Sequence, residues 1–193
     1  APRRSHPHST IARAVAALAA VVVLVAGCGG SDDDAEADAP SGEGTTEPSG
    51  ADAPDAEPAE DETLEVLVTN DDGVGAEGID AVVEGLTGAG HEVEVVAPLE
   101  QQSGTGGTFT DGPVESEEAE TASGHPALAV DGFPSDSVRV ALDEEGIEPD
   151  LVVSGINEGQ NVGAVVDVSG TIGAARAAVA RDVPALALSA GIG

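Results

Sequence analysis

The chain has 193 residues and a formal net charge of −31, with 37 acidic side chains against six Lys and Arg. Such a charge repels DNA, RNA and anionic lipid, and two phenylalanines with no tryptophan or tyrosine leave almost nothing for bases to stack on. Nucleic-acid recognition is excluded as a function class, and so dense an acidic surface suits high ionic strength, where like-charge repulsion is screened.

Charge is distributed unevenly along the chain. Residues 1–28 begin with basic residues and carry an apolar run from about Ala14 to Ala26, short for a membrane span of about 20 residues and of the size of a signal-peptide core. Its ending, "LVAGC", resembles the bacterial lipoprotein signal, which implies lipidation of Cys28 after cleavage and membrane attachment at the outer face of the cytoplasmic membrane. Cys28 is the only cysteine, so no internal disulfide is possible. Residues 29–62, built from acids, alanine, proline and glycine, cannot bury enough apolar surface to offset ordering and read as a disordered acidic linker. Residues 63–193 alone can form a sizeable core.

Within that part the pattern is α/β. "LEVLVTN", residues 64–70, predicts a strand. "IDAVVEGLTGAG" follows as a helix, with Ile79, Val82, Val83 and Leu86 on one face and glycines 88 and 90 at its end. "HEVEVVAP" predicts a second strand, so a βαβ unit and a parallel sheet are expected. Residues 99–124 read as a long irregular or weakly extended excursion. "HPALAVDG" predicts a strand, and "PSDSVRVALDEEG", residues 134–146, a helix capped by Ser135 or Asp136. "PDLVVSG", residues 149–155, predicts a buried strand, "SGTIGAARAAVARDV", residues 169–183, a helix, and "PALALSA", residues 184–190, a last strand.

In an open parallel sheet, ligands bind beyond the carboxyl ends of the strands. "NDDG", "APLEQQSG" and "SGINEGQN" each follow a predicted strand at that end. Asp71 and Asp72 repel each other unless a proton or cation compensates them, and a hard divalent metal does so while keeping positions for water and a phosphate oxygen; a solvated acidic turn is the alternative. Ser103 offers a hydroxyl, and Asn157 and Asn161 offer neutral carbonyl oxygens between glycines. Ser169, Gly170 and Thr171 open a predicted helix, where they can cap it, hold a phosphate, or both.

Taken together, "LVTNDDGVGAEGI", "VVAPLEQQSG", "PDLVVSGINEGQNVG" and "VSGTIGAAR" resemble, in order, the successive motifs of the SurE family of survival-protein 5′-nucleotidases over about residues 64–190. The resemblance implies a Rossmann-like three-layer α/β domain with a mainly parallel sheet. It also implies hydrolysis of phosphomonoesters, nucleoside monophosphates above all, with a divalent metal, Mg2+ or Mn2+. By the same resemblance Asp71, Asp72, Ser103 and Asn157 are the metal ligands and Asp71 and Asp72 the catalytic pair. Asn70, Asn161, Ser169, Gly170 and Thr171 would line the phosphate site, with Asn70 also ordering the acidic turn, and Asp136 would support the site wall. Phe133 stands where the family has threonine, and Gly75–Glu77 departs from the usual His-Ala-Pro-like series. These departures keep open a second class, a noncatalytic, envelope-tethered binding or structural domain. His125, outside the four motifs, is expected to have a surface or structural role. The family continues beyond a segment like "PALALSAGIG", so the domain is expected to be incomplete at its C-terminus and a homo-oligomer when full length.

Overall fold

The computed structural model describes residues 62–191; the signal-like segment and most of the acidic linker lie outside the described residues. The elements in chain order are β1 (Glu65–Thr69), α1 (Glu77–Gly88), β2 (Glu92–Pro98), β3 (Ser116–Glu120), β4 (Pro126–Val130), α2 (Pro134–Arg139) running into a π turn (Val140–Glu144), β5 (Leu151–Asn157), a 3-10 turn (Gly163–Asp167), α3 (Gly170–Val179) and β6 (Ala185–Ser189). One six-stranded sheet has the order β3-β4-β2-β1-β5-β6, parallel throughout except for β3 against β4.

The strands are apolar on both faces because helices cover both, and the twofold alternation of side chains assigns each residue to a layer. Val66, Val68, Val95 and Val153 pack with Ile79, Val82, Val83 and Leu86 of α1. Leu67, Val96 and Val152 point the other way and pack with Val138 of α2 and Ala174, Ala177 and Ala178 of α3. The result is a three-layer α/β sandwich. From β1 the chain builds outward through β2 and β4, then returns to the other side of β1 as β5 and β6. The strand order therefore reverses between β1 and β5, and that is where a crevice opens in folds of this kind.

One element refines the expectation and another departs from it. β3, "SEEAE", is a strand inside the predicted excursion; most of its residues are exposed, and it is held by pairing with β4 from Ser116 opposite Val130 to Glu120 opposite Pro126. Burial leaves no periodic signature on such an edge strand, and its glutamates protect the edge against further pairing. The helix from 134 stops being α at Arg139, and its N-cap residue is neither Ser135 nor Asp136, although Asp136 caps the start from the third helical position. Phe133 is the N-cap residue, Pro134 occupies the first turn, and the Asp136 carboxylate reaches back to accept the Phe133 N–H at 3.0 Å. Asp136 also accepts from the Thr110 N–H at 3.1 Å and the Thr110 hydroxyl at 2.8 Å. It thereby ties the long loop after β2 to α2.

α3 lies directly on that loop. A Cβ at Gly173 would collide with the Gly106 carbonyl, while the Gly106 N–H donates to Val168 O at 2.9 Å. Both partners are backbone, so neither can yield by a rotamer change. Gly173→Ala is expected to destabilise the fold by about 1–3 kcal/mol, the usual cost of overpacking a close contact. Urea unfolding checks this; a midpoint equal to wild type would contradict it.

Candidate functional site

Past the end of β1 the chain turns sharply. Asn70 is fully buried and makes the turn a closed unit: its side-chain amide donates to Gly73 O at 2.8 Å, and the Gly73 N–H donates back to Asn70 Oδ1 at 3.2 Å. Gly73 has φ +98, a conformation that disfavours any side chain. The turn presents Asp71 inward and Asp72 toward the rim. Asp71 is 2% exposed, and its Oδ1 accepts the Thr171 hydroxyl at 2.7 Å. Asp72 is half-buried and spans two loops, its Oδ1 facing Gln101 Nε2 at 3.4 Å and its Oδ2 facing the Glu158 N–H at 3.2 Å.

The loop after β2 is drawn in by the Gln102 N–H, which donates to Asp71 O at 2.7 Å. Ser103 follows immediately, exposed. From the end of β5, Asn157 donates its amide nitrogen to Gly159 O at 2.9 Å, so its Oδ1 remains available as an acceptor. Asn161 donates to the Thr171 hydroxyl at 3.1 Å and to Ser189 Oγ at 2.9 Å. A chain Ser189–Asn161–Thr171–Asp71 thus links β6, the loop after β5, α3 and the acidic turn.

α3 begins against Asp71. Ser169 is its N-cap residue and accepts the Ile172 N–H at 3.2 Å, the Gly173 N–H returns to Ser169 O at 2.9 Å, and the N–H groups of Gly170 and Thr171 belong to the first turn, which has no intrahelical acceptors. Capping by Ser169 is therefore observed. Thr171 is wholly buried with its hydroxyl committed to Asp71 and Asn161, which makes it a positioning group. Gly170 has no room for more than hydrogen: a Cβ there would lie 2.6 Å from Asp71 Cβ and 2.9 Å from Asp71 Oδ2.

Gln101, Ser189 and the Glu158 amide are site groups that the motif reading does not single out. Gln101 lies inside "LEQQSG" and was legible as a neighbour of Ser103; Ser189 carries no local signal, because only the sheet order brings β6 beside β5. His125 lies at the opposite end of the sheet, at the start of β4, with Nε2 3.3 Å from Val93 O.

Burial pushes the Asp71 carboxyl above the ordinary carboxylate range; the Thr171 hydrogen bond opposes this, and the charge of Asp72 adds to the rise. For an acid raised on folding, the unfolded chain gives up its proton first as pH increases. Stability contributed by this group is therefore greatest below the unfolded value and falls as pH rises from there toward the folded value. Asp71→Asn, which keeps the Oδ1 acceptor, is expected to be more stable than wild type at pH 7 in a chelating buffer, with the difference vanishing toward pH 3. Paired thermal melts test this, and a less stable variant at pH 7 would contradict it.

The donor set matches a hard divalent cation. It offers two adjacent carboxylates, one of them raised by its surroundings, a free amide oxygen and a nearby hydroxyl, all oxygen. Among the described residues no group of three or more His, Cys, Asp or Glu is placed to hold a metal, so a cation here would depend on neutral oxygens beside the two carboxylates.

The arrangement has relatives. The Survival protein SurE profile matches residues 66–193. The chain belongs to the SurE family. A 5′-nucleotidase SurE of Methanopyrus kandleri is 47% identical over 131 residues, covering 65% of this chain and 48% of that protein. One of Brevibacillus brevis is 47% identical over 132 residues, covering 65% and 50%. The crystal structure of the SurE protein from Aquifex aeolicus superimposes with a TM-score of 0.59 at 35% identity, over 66% of this chain and 51% of that one. The chain spans about half the length of the SurE relatives it matches.

Proposed function

We propose that the chain carries the metal and phosphate site of a phosphomonoesterase that hydrolyses nucleoside monophosphates to nucleoside and phosphate. The observation that supports this best is the placement of Asp71, Asp72 and Asn157 at the carboxyl ends of β1 and β5, the point where the strand order reverses, against the amino end of α3. Two SurE relatives named 5′-nucleotidases support the reaction class.

Asp71, Asp72, Ser103 and Asn157 would hold Mg2+ or Mn2+. A cation held by these residues would supply neutralisation of phosphate charge and activation of a water. The first-turn N–H groups of Gly170 and Thr171, beside Asp71, would offer anion-binding dipoles to the phosphate, with Asn70, Asn161 and Ser169 fixing the surrounding turn and helix start. Asn161 and Thr171 hold Asp71 in one orientation, so little reorganisation is left for the transition state. Phosphate release from nucleoside monophosphates, measured with Mg2+ or Mn2+ and again in chelator, tests the reading. Metal-dependent turnover is expected; substrate binding without turnover under any divalent metal would instead favour a noncatalytic tethered domain.

We also propose that Cys28 anchors the protein by lipid at the outer face of a bacterial cytoplasmic membrane and that the full-length protein is a homo-oligomer. Lipoprotein processing attaches more than one acyl chain, enough for stable anchoring. Mass spectrometry of the protein from cells is expected to find Cys28 diacylated or triacylated. Unmodified Cys28 in a cytosolic fraction would contradict the anchor.

A further inference from the structure

Among the described residues, every arginine that could serve the rim of the site already faces an acid. The three arginines among the described residues each face an acid: Arg139 pairs with Glu144 at 2.7 Å and Asp136 at 3.3 Å, Arg181 with Asp143 at 2.8 Å, and Arg176 stands 3.9 Å from Asp167. Arg176 is rooted in the last turn of α3 but reaches back to Asp167, just before the start of that helix, where the acid it faces offsets its charge. The described residues contain no lysine.

Glutamates occupy the rim instead. Asp72 is gripped from both sides, by Gln101 at 3.4 Å and by the Glu158 N–H at 3.2 Å, and both gripping loops carry an exposed carboxylate there, Glu100 on one and Glu158 on the other. Glu100 is fixed close to the acidic turn, since a Cβ on Gly73 would lie 3.6 Å from Glu100 Cα. Glu77, exposed in the first turn of α1, adds a third, because α1 starts against the backbone of Ile156: a Cβ on Gly78 would strike the Ile156 carbonyl oxygen.

A divalent cation would offset the charges of Asp71 and Asp72, and the first turn of α3 can support one phosphate. A second anionic group on the same substrate would extend past Glu100 and Glu158 with nothing to compensate it. Like charges set close together at a binding surface are a repulsive element, and repulsion is an effective way to exclude a competitor that shares the attractive contacts.

We propose that Glu100 and Glu158 are specificity-determining residues: they form a charge filter that passes phosphomonoesters with a neutral or cationic leaving group and rejects those bearing a second anionic group. The filter rests on the phosphatase reading above and adds to it the class of leaving group. Because both side chains are exposed, their field is open to screening, so discrimination weakens as salt rises.

The test compares a nucleoside 5′-monophosphate with its 3′,5′-bisphosphate, which differ by one phosphate remote from the reacting one. Both kcat/KM and the dissociation constant by calorimetry are measured with saturating Mn2+, for wild type and the Glu100→Gln/Glu158→Gln variant, with folding verified by far-UV circular dichroism. At about 0.05 M salt wild type is expected to favour the monophosphate by about tenfold or more, and at about 0.5 M, where the Debye length drops to roughly 4 Å, by less than threefold. The variant is expected to lose most of the discrimination at any salt level, through gain on the bisphosphate. An unchanged ratio in the variant, or equal losses on both substrates, overturns the filter while leaving the phosphatase reading intact. Failure of wild type to bind or turn over either nucleotide overturns both.

Discussion

Asp71→Asn is expected to lower metal-dependent phosphate release by about 100-fold or more, the scale on which losing one preorganised electrostatic group in an active site is felt. The substitution isolates charge from shape. Asparagine matches the volume of aspartate and keeps an oxygen to accept the Thr171 hydroxyl that now lies 2.7 Å from Oδ1. Asn161 and Ser189 would stay in register behind it. What disappears is one of two adjacent carboxylates, and with it half the negative charge proposed to hold the cation. Asp72 does not compensate, because it faces the rim and is engaged by Gln101 and the Glu158 N–H. Initial rates at saturating Mn2+, alongside circular dichroism to verify folding, measure the effect; a variant within fivefold of wild type would remove Asp71 from the chemistry.

A loss of similar size is expected from Gly170→Ala, although the added methyl carries no charge. Its position is fixed by α3, whose start is capped by Ser169 and seated on the loop at Gly106. A Cβ there would sit 2.6 Å from Asp71 Cβ and 3.1 Å from Cγ, well inside contact distance. Either Asp71 rotates out of its bond to Thr171 or the first turn of α3 lifts away, and both separate the carboxylate from the N–H groups proposed to bind phosphate. A misplacement of about 1 Å costs on the order of 100-fold in rate. Phosphate-release rates and a urea midpoint measured together separate displacement from unfolding. Wild-type rates in Gly170→Ala would show that the close approach of α3 to Asp71 is dispensable.

The parts of this molecule that read well from sequence are those in which burial imposes a period. The apolar runs of β1, β2 and β5 and the stripe Ile79, Val82, Val83, Leu86 announce a parallel sheet with helices on both faces, and the fold follows. β3 does not announce itself, since three of its five residues are exposed glutamates and only its partner β4 makes it a strand. The end of α2 is equally silent: "VALDE" keeps a helical apolar spacing although the backbone widens into a π turn. At the site, the motifs name the groups that converge at the carboxyl ends of β1 and β5. They do not show how those groups divide their work. That Thr171 and Asn161 are committed to orienting Asp71, and that Gln101 and the Glu158 amide bracket Asp72, depends on contacts across 10 to 100 residues of sequence, which no local pattern encodes.

The Asp71–Asp72 turn, with Asn157 and Ser103, is proposed above as a divalent-metal site. Isothermal titration of Mn2+ into the metal-free protein and into Asp71→Asn tests it most directly. One Mn2+ per chain is expected in wild type, with affinity at least about tenfold weaker in the variant, as expected when a hard cation loses one charged oxygen ligand. Equal Mn2+ affinity in the two proteins would contradict the assignment.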